Sequence, residues 1–393
     1  ATTEIYTLSL HDALPIYYVI RGEGEQPVVE LTSAIFTGNG IENIQNLSYK
    51  SNGEIIHNDI RPLCQNLDEY GYPEIGGTNK FYINDGKLSM QDPMLNSYSY
   101  DITTSRGCPF TCSYCCSVNI KRIYKGKGKF VRFRSVDSCI AELNEAKRKM
   151  KNLKYIYFWD EIFPDDHAWI DEFAKRYKSE INLPFQIWCH PLKVDRHTIK
   201  TLVDCGLGKV VMGIQSGSPE IRKEIFHRNE TQEDIINASI ILKECKVPQV
   251  VYDFILQHPF ETHEDIKKTY ELCTKLAPPF ELQLHGLNFL PGSDIVDIAI
   301  KKGVLTREEL DKMMFGSMQE QYNMYWGTKK NDLISNFWYA LIFMTQFKLM
   351  KPAARYFSKK DSRAKLATEF YRLLKPVMKL RYFYRKAKLI FSH

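Results

Sequence analysis

Three cysteines lie close together in the stretch from Ser105 to Cys115, which reads SRGCPFTCSYC. Cys108, Cys112 and Cys115 have the spacing C-x3-C-x2-C, so their thiolates can converge on one inorganic centre. Iron–sulfur clusters are held by Cys thiolates, and a cubane cluster with only three of them keeps one iron without a protein ligand. An open coordination position separates a reactive metal site from a closed structural one. The spacing therefore predicts a [4Fe-4S] cluster whose free iron can bind a small molecule.

A zinc knot and a buried group of packed cysteines are the alternatives to an iron–sulfur site. Zinc knots join two Cys-x-x-Cys units. Cys112 and Cys115 form one such unit, and the sequence contains no second one. Cys116 follows the motif directly but lies outside its spacing, and we interpret it as a neighbouring side chain that packs. The pattern thus favours the cluster.

The C-x3-C-x2-C pattern resembles the signature of the radical S-adenosylmethionine (radical SAM) enzymes. The resemblance implies that the open iron chelates the amino and carboxylate groups of S-adenosyl-L-methionine (SAM). It also implies that an electron from the cluster cleaves SAM to a 5′-deoxyadenosyl radical, so that an electron donor such as a flavodoxin or ferredoxin is a partner. Tyr114, the aromatic residue before the third cysteine, would contact the SAM adenine.

Strand-like and helix-like segments alternate from residue 98 onward. The pattern predicts strands at 99–105, 153–159, 185–190, 209–214, 250–256 and 282–289. It predicts helices near 136–150, 166–179, 196–204, 231–244, 263–276 and 293–302. Six such units indicate an α/β fold with a parallel sheet and outer helices, which right-handed crossovers curl into a partial (β/α)6 barrel of the TIM type. The active site of such a barrel lies at the carboxyl ends of its strands.

Two carboxylates follow the second predicted strand, in Phe158-Trp-Asp-Glu. A carboxylate there can accept charge-assisted hydrogen bonds from an ammonium group, and the resemblance implies that Asp160 and Glu161 hold the SAM amino group. The alternative is that these acids complement the dipole at a helix N-terminus. We favour that alternative for Asp165 and Asp166.

The fourth predicted strand ends in Gly213-Ile-Gln-Ser-Gly-Ser218, which resembles the family's Gly-Ile-Glu-Ser-Gly-Ser segment. The resemblance implies that Gln215 and Ser216 contact SAM, although Gln215 lacks the charge of the family's Glu. Arg228 matches a basic residue that follows in the family, and its planar fork suits the SAM carboxylate. Helix capping is the alternative for Ser218.

The remaining strand ends carry weaker signals. His190 follows the third strand, where a lone histidine is more often structural than a ligand. Gln257 and Phe260 stand where the family has glycines, in a Gly-x-Pro-Gly-Glu-Thr segment, and this predicts a reshaped pocket. The sixth strand ends in Leu290-Pro-Gly-Ser, which resembles a Pro-Gly-Thr segment of the family, and Leu290 would pack against the SAM adenine.

The chain begins with two unlike segments. Residues 1–16 read ATTEIYTLSLHDALPI, which has neither region of a signal peptide and looks like translated sequencing adapter, so we expect it to be artefactual. Residues 17–45 combine an apolar strand, a Gly-Glu-Gly turn and a helix, as in the last unit of a doubly wound α/β domain. This resembles the end of the cobalamin-binding domain of B12-type radical SAM enzymes. Cobalamin is therefore expected only in the full-length protein.

The sequence predicts three further segments. Residues 46–97 are rich in Asn, Gly, Pro and Tyr and indicate a linker with a short hairpin near 48–57. Residues 98–305 are the predicted radical SAM core barrel. Residues 306–393 form a basic, aromatic and helical C-terminal region.

Charge is concentrated at the C-terminal end of the sequence. From Lys348 to His393 there are 14 Lys and Arg against 2 Asp and Glu, a net of +12, so the rest carries −6 of the total +6. Residues 333–347, just before, are uncharged and aromatic. Three interpretations remain open: peripheral contact with an anionic membrane, a helical subdomain that packs on the barrel, and a nucleic-acid patch. Of these three interpretations, the nucleic-acid patch is the one that the charge pattern favours least.

Composition bounds the class of protein. With 44% hydrophobic and 25% charged residues, the chain is ordinary for a soluble globular protein. Ten cysteines without regular pairing argue against a disulfide framework. A reducing cytoplasm is the expected location, since a reduced cluster needs it. No apolar run reaches the length of a transmembrane helix.

The sequence thus predicts a radical SAM enzyme that modifies an unreactive carbon, for example by C-methylation, of a lipid or other secondary metabolite. It indicates no catalytic residue beyond the cluster ligands. One rival is a methylthio-transferring enzyme acting on RNA or protein, whose extra three-cysteine domain would precede the barrel, where only Cys64 occurs. Another is a non-catalytic iron–sulfur protein, which needs a fourth ligand from Cys116, Cys139 or Cys189.

Overall fold

A computed structural model of the protein describes residues 17–77, 80–84, 86–321, 332–370 and 372. Its first part is a small antiparallel sheet with one helix, made of β1 (Tyr18–Ile20), α1 (Glu25–Thr37), β2 (Leu47–Ser51) and β3 (Glu54–His57). β1 pairs with β2 and β2 with β3. The strand predicted within 17–45 therefore shares a sheet with the hairpin predicted near 48–57, and Leu31 and Ala34 of α1 belong to the same apolar cluster as Leu47 and Tyr49 of β2. A second hairpin follows, with β4 (Tyr82–Asn84) and β5 (Lys87–Ser89).

A six-stranded parallel sheet forms the centre of the molecule. In chain order the next strands are β6 (Ser99–Ile102), β7 (Ser105–Arg106), β8 (Arg132–Phe133), β9 (Tyr155–Phe158), β10 (Phe185–Cys189), β11 (Leu207–Gln215), β12 (Gln249–Ile255) and β13 (Glu281–His285). The short β7 and β8 pair with each other, and the other six lie side by side in the order of the sequence. All five contacts between them are parallel. The predicted partial (β/α)6 barrel is confirmed.

Helices connect the strands, as the alternating pattern predicted. They are α2 (Ser117–Ile123), α3 (Val136–Lys149), α4 (His167–Arg176), α5 (Arg196–Cys205), α6 (Gln232–Glu244), α7 (His263–Lys275) and α8 (Asp294–Lys301). Local side chains define where several of them begin. Thr231 and Thr262 each form a reciprocal capping box with the Asp three residues later.

The two faces of the parallel sheet have different compositions. Phe158, Phe185, Met212 and Tyr252 are buried on the face that packs against the helices. Successive side chains of a strand point to opposite faces, so their neighbours along the strands point into the barrel. That interior face carries aromatic and polar residues, among them Tyr157, Trp159, Trp188, Lys209, Asp253 and His285. An apolar outer face and a polar inner face are what a barrel needs if it holds a ligand rather than a packed core.

The C-terminal helices pack on the barrel. Among the described residues, the last strand–helix unit is followed by α9 (Arg307–Phe315), α10 (Leu333–Met344) and α11 (Lys351–Phe357). Phe337, Trp338, Leu341 and Ile342 of α10 are buried in the core that the sheet shares with its helices. Of the three interpretations of this region, packing therefore holds for residues 333–357. The basic segment 373–393 lies outside the described residues. Across the described ranges, no helix has both the length and the apolarity to cross a membrane.

Candidate functional site at the carboxyl ends of the strands

The three predicted cluster ligands lie in one loop between β7 and α2. Gly107 opens the loop with φ at 89°, and a Cβ there would approach the carbonyl oxygen of Phe130 to 2.4 Å, so only glycine is tolerated. Cys112 is buried, whereas Cys108 and Cys115 are half-buried. The backbone N–H of Cys115 donates to the carbonyl of Cys112 at 3.0 Å, which folds the second half of the motif into a tight turn.

Ser113, between the second and third cysteines, fastens this loop to the barrel. Its hydroxyl donates to the carbonyl of Ile225 at 2.5 Å, and its N–H donates to the carbonyl of Phe226 at 3.1 Å. Its own carbonyl accepts from the N–H of Ile295 at 3.0 Å. The loop is thereby joined to the segments that follow β11 and β13. Sequence reasoning missed this residue, because nothing in the motif distinguishes Ser113 from a spacer.

An aromatic contact joins the same loop to the third strand end. The rings of Phe110 and His190 stack with centroids 3.8 Å apart. His190 accepts from the N–H of Leu192 at 3.2 Å, and its Nε2 lies 3.3 Å from the carboxylate of Glu230. The burial of His190 lowers the pKa of its imidazole below the usual value. In this structure His190 therefore connects the cysteine loop to the third strand end and to Glu230.

Asp160 holds the chain just before the cysteine loop. Its Oδ1 accepts from the N–H of Thr104 at 2.8 Å, from the Thr104 hydroxyl at 3.0 Å and from the Ser105 hydroxyl at 2.5 Å. Its Oδ2 is buried and has no hydrogen-bond partner among the described residues. Burial raises the pKa of this carboxyl to about 6. Glu161, beside it, is exposed. Asp166 caps the N-terminus of α4, which is the role expected of it, whereas Asp165 forms an ion pair with Lys193 at 2.7 Å.

Arg228 is buried and joins the cysteine loop to the fourth strand. Its guanidinium donates to the hydroxyl of Tyr114 at 3.3 Å, to the carbonyl of Gly213 at 2.7 Å and to the carboxylate of Glu230 at 2.6 Å. The Sγ of Cys112 lies 4.0 Å away. Tyr114 in turn packs edge-on against Phe226, with ring centroids 5.0 Å apart. Every nitrogen of the guanidinium therefore contacts protein in this structure.

Gln215 occupies an unusual backbone conformation at the end of β11. Its φ is 67°, in the left-handed region, and the pairing register with β12 shifts at this point. Its side-chain amide folds back over Gly213, where a Cβ would approach Nε2 to 2.6 Å. Its Oε1 is buried and finds no hydrogen-bond partner in the described part of the chain. An acceptor of this kind is available to a ligand.

Ser216 and Leu290 shape the turns after their strands. The hydroxyl of Ser216 accepts from the N–H of Ser218 at 3.1 Å, and its carbonyl accepts from Arg222 at 2.7 Å. The carbonyl of Leu290 accepts from the hydroxyl of Ser293 at 2.6 Å, which turns the chain into α8. Ser216 is fully buried, whereas Leu290 is half-buried.

The fifth strand end is held by a residue from the C-terminal region. Gln257 has a φ of 60°, which explains why the family has glycine at this position. Its N–H donates to the carboxylate of Glu261 at 2.6 Å and to the hydroxyl of Tyr339 at 3.2 Å. The hydroxyl of Tyr339 also donates to Glu261. The sequence carried no signal that Tyr339 of α10 would reach this lip of the barrel.

The residues of this site suit a three-cysteine cluster with SAM beside it. Thiolates are the ligands that iron–sulfur clusters use, and burial raises the pKa of the Cys108 thiol to about 11, so cluster binding would release its proton. Two buried acceptors, Asp160 Oδ2 and Gln215 Oε1, await a donor at the same end of the barrel. No group of three His, Cys, Asp or Glu side chains in the described ranges is arranged around one ion. The thiolates of a cubane each bind a different iron, so that observation concerns mononuclear sites only.

Comparison with known families gives the class of protein. The family model described as the radical SAM superfamily matches residues 102–273, from the end of β6 into α7. The chain therefore carries a radical SAM domain, and the resemblance inferred from the cysteine spacing is confirmed. Such a domain implies a [4Fe-4S] cluster and SAM as cofactors.

A relative and two solved structures refine the comparison. An uncharacterised methyltransferase of Pyrococcus horikoshii is 28% identical over 300 residues, which are 76% of this chain and 61% of the relative. OxsB, a cobalamin-dependent SAM radical enzyme solved with aqua-cobalamin and SAM, covers 100% of this chain and 62% of its own, with a TM-score of 0.63 and 14% identity. TsrM of Kitasatospora setae, a radical SAM methyltransferase solved with cobalamin and a [4Fe-4S] cluster, covers 76% of this chain and 58% of its own, with a TM-score of 0.60 and 18% identity.

These likenesses confirm the resemblance to the cobalamin-type branch at the level of the fold. The chain spans 58 to 62% of the length of the three proteins.

Proposed function

We propose that this protein is a radical SAM enzyme that cleaves SAM reductively and modifies an unreactive carbon of its substrate by C-methylation. The observation that carries the proposal is the Cys108, Cys112 and Cys115 loop at the carboxyl ends of a six-stranded parallel barrel. The relative from Pyrococcus horikoshii and TsrM are both described as methyltransferases. Together they favour methyl transfer among the reactions that such a site can support.

The three cysteines would hold the cluster, and its bound form would supply the electron that cleaves SAM to a 5′-deoxyadenosyl radical. The protein's own residues bind and orient SAM. We propose that Tyr114 and Leu290 contact the adenine, and that Asp160 and Glu161 accept from the amino group. The buried, unpartnered Oδ2 of Asp160 supports the second assignment.

Gln215, Ser216 and Arg228 would complete the SAM site. The unpartnered Oε1 of Gln215 supports a direct contact. The hydroxyl of Ser216 is engaged in its own turn, so we propose that this residue orients Gln215. Arg228 is close to both Tyr114 and Cys112. We propose that it faces the SAM carboxylate while it positions Tyr114.

We further propose a division of the chain into segments. Residues 17–45 would end a cobalamin-binding-like domain, 46–97 would be a linker, 98–305 the catalytic barrel and 306–393 an accessory region. The likeness to OxsB over the whole chain supports this order. Cobalamin would then be bound by the full-length protein. Residues 1–16, outside the described part, would be artefactual.

A small molecule, either a lipid or another secondary metabolite, is the proposed substrate, with a flavodoxin or ferredoxin as electron donor in the cytoplasm. The basic residues near the C-terminus would allow peripheral contact with anionic membranes. Flotation with anionic and neutral vesicles at low salt tests this contact. Equal recovery of the protein with both kinds of vesicle would rule it out.

The central test is SAM cleavage by anaerobically reconstituted protein with dithionite. We expect 5′-deoxyadenosine, and we expect Cys108→Ala, Cys112→Ala and Cys115→Ala each to abolish both the cluster absorbance and the product. Cys116→Ala should keep the absorbance, because this residue lies outside the motif. Cluster-loaded protein that forms no 5′-deoxyadenosine would refute the enzyme proposal.

The rival proposals predict different results. A non-catalytic iron–sulfur protein would need a fourth cysteine ligand. Cys189 is buried in the core between the sheet and its helices, and Cys139 is fully buried in α3, so Cys116, next to the motif, is the remaining candidate. A change in the electron paramagnetic resonance of the reduced cluster on addition of SAM would exclude this rival. Methylthio transfer to RNA or protein would require a further cysteine-rich domain, and only Cys64 precedes the barrel motif.

A further inference from the structure

Three aromatic side chains form a continuous surface on the interior face of the barrel. Tyr157 lies in β9, Trp159 follows that strand directly, and Trp188 lies in β10. The intervening residues Phe158 and Ile187 belong to the outer core. By the alternation of strands, the three rings therefore point into the barrel. We call them the aromatic surface.

The rings of this surface are nearly parallel. The centroids of Trp159 and Trp188 are 4.4 Å apart with an interplanar angle of 22°. Those of Tyr157 and Trp159 are 6.2 Å apart with an angle of 24°. Trp159 nonetheless keeps 53% of its surface exposed. A half-open indole beside a second one forms a contiguous apolar surface, and such surfaces occur at ligand-binding grooves.

The aromatic surface lies beside the cysteine loop. Trp159 immediately precedes Asp160, which holds Thr104 and Ser105 just before that loop. Trp188 is two positions before His190, whose ring stacks on Phe110 within the loop. A molecule resting on Trp159 would therefore lie at the end of the barrel where SAM cleavage is proposed.

Space is available next to Trp159. The indole lines a cavity of about 230 Å³ that is also bounded by Asp101 and Arg106 on the barrel side and by Leu67, Tyr70 and Pro73 of the preceding segment. Pockets that bind small molecules are mostly apolar with a few polar groups that set orientation. Apolar atoms form the larger part of this cavity's surface, and the charged side chains of Arg134 and Glu142 border it as well, so it offers both a flat apolar wall and several charged groups.

Polar groups lie further round the same interior face. On β12 and β13, the imidazole of His285 lies 2.5 Å from the carboxylate of Asp253 and 3.0 Å from the amide of Gln283. On β11, which lies between the aromatic strands β9 and β10 and the polar strands β12 and β13, Lys209 points inward. Burial lowers the pKa of its ammonium group. The interior thus offers flat aromatic rings on one side and hydrogen-bonding groups on the other.

We infer that the substrate is a planar, conjugated ring compound with polar groups at its edge, which stacks on Trp159 and Trp188. The inference deepens the proposed function, on which it rests, by selecting a ring-shaped metabolite over a lipid. A flexible acyl chain gains little from parallel indoles, whereas a conjugated plane matches them in shape and quadrupole. The aromatic surface would hold such a plane next to the site of radical formation.

Equilibrium dialysis tests the inference. The protein is reconstituted with its cluster, and SAM is added without a reductant so that it is not cleaved. The ring probes are indole-3-acetate and protoporphyrin IX. The control probe is decanoate, a flexible acid with the same number of carbons as indole-3-acetate. We expect at least one ring probe to bind more tightly than decanoate. Trp159→Leu should weaken that binding about tenfold, as loss of a stacking partner does, and Trp159→Phe should weaken it less than threefold.

Phe36→Leu is the matched control, since Phe36 is an aromatic residue 86% exposed on α1. It should leave ring binding unchanged. Because Trp159 is half-exposed, its substitution should not unfold the protein, and thermal melting verifies this. Decanoate binding as tightly as both ring probes, or an unchanged ring affinity in Trp159→Leu, would overturn the inference. SAM cleavage by the wild-type protein is scored separately, so failure of the proposed function remains distinguishable.

Discussion

The guanidinium of Arg228 donates a hydrogen bond of 3.3 Å to the hydroxyl of Tyr114, across a sequence separation of 114 residues. This bond connects the cysteine loop to the segment that follows the fourth barrel strand. The same guanidinium holds the carbonyl of Gly213 and the carboxylate of Glu230. The position of Tyr114 therefore depends on a buried ion pair as well as on the motif that contains it.

Arg228→Ala should destabilise the protein strongly. The substitution leaves the buried carboxylate of Glu230 without its ion-pair partner at 2.6 Å, and breaking a buried pair costs about 3 to 5 kcal/mol. Tyr114→Phe removes a single hydrogen bond and should cost about 0.5 to 1.5 kcal/mol. Urea denaturation of the cluster-free protein measures both. Arg196→Ala is the control, because its pair with Glu244 is exposed to solvent and should contribute little to stability. Equal midpoints for Arg228→Ala and Arg196→Ala would contradict the prediction.

Asp160 should make stability depend on pH in an unusual direction. Its folded pKa of about 6 lies above the value of 3.8 for a free carboxyl, because burial disfavours the charge. Between these two values the folded state holds a proton that the unfolded state has released. The contribution of Asp160 to stability is therefore present at low pH and is lost as pH rises through about 6.

The variant Asp160→Asn isolates this effect. An amide keeps the oxygen that accepts from Thr104 and Ser105 but does not titrate. The free energy of unfolding of Asp160→Asn, relative to that of the wild-type protein, should rise by roughly 2 to 3 kcal/mol between pH 4 and pH 7. Chemical denaturation of the cluster-free protein at several pH values measures the difference. A difference that does not vary with pH would mean that the carboxyl is not desolvated as described.

Gln257→Gly should stabilise the protein. Gln257 has a φ of 60°, which costs an L-residue about 1 to 2 kcal/mol. Glycine removes that cost but adds flexibility to the unfolded chain, so the net gain should be about 0.5 to 1 kcal/mol. The backbone N–H that binds Glu261 and Tyr339 is retained. Thermal melting measures the change. Gln186→Gly, in the extended strand β10, should lower the melting temperature, and the same response from both variants would disprove the conformational explanation.

Glu23 should be essential for joining the small N-terminal sheet (β1 to β3, with α1) to the barrel. Its carboxylate pairs with Arg132 at 2.6 Å and with Arg106 at 3.2 Å. The Arg132 side chain is only 4% exposed, so Glu23→Ala should cost about 3 to 5 kcal/mol. Glu30→Ala is the matched control, since its pair with Arg61 lies at the surface and should cost about 1 kcal/mol or less.

Chemical denaturation measures the loss of stability in Glu23→Ala. Limited proteolysis measures how accessible the segment between α1 and β6 becomes. We expect faster cleavage in that variant than in Glu30→Ala. Identical cleavage patterns would show that the junction does not depend on this carboxylate.

Local patterns in the sequence were sufficient for the framework of the protein. The cysteine spacing indicated the cluster site, and all six strand–helix units were predicted close to their bounds. Strand and helix periodicity, together with capping residues such as Thr231 and Thr262, act over a few neighbours and are visible in one sequence. Because parallel strands end at one edge, the motifs after them had to meet there.

Contacts between distant segments were decided only by the tertiary structure. Ser113 holds the cysteine loop by hydrogen bonds to the backbone carbonyls of Ile225 and Phe226. Such contacts cannot be predicted from residue types, because every residue has a backbone carbonyl. The uncharged segment 333–347 was compatible with more than one interpretation in the sequence, and in the structure Phe337, Trp338 and Leu341 are buried in the core of the barrel. Trp159 and Trp188 form one surface only because neighbouring strands bring them side by side. Sequence alone located the candidate site, whereas long-range packing decided which of its side chains are buried, paired or exposed.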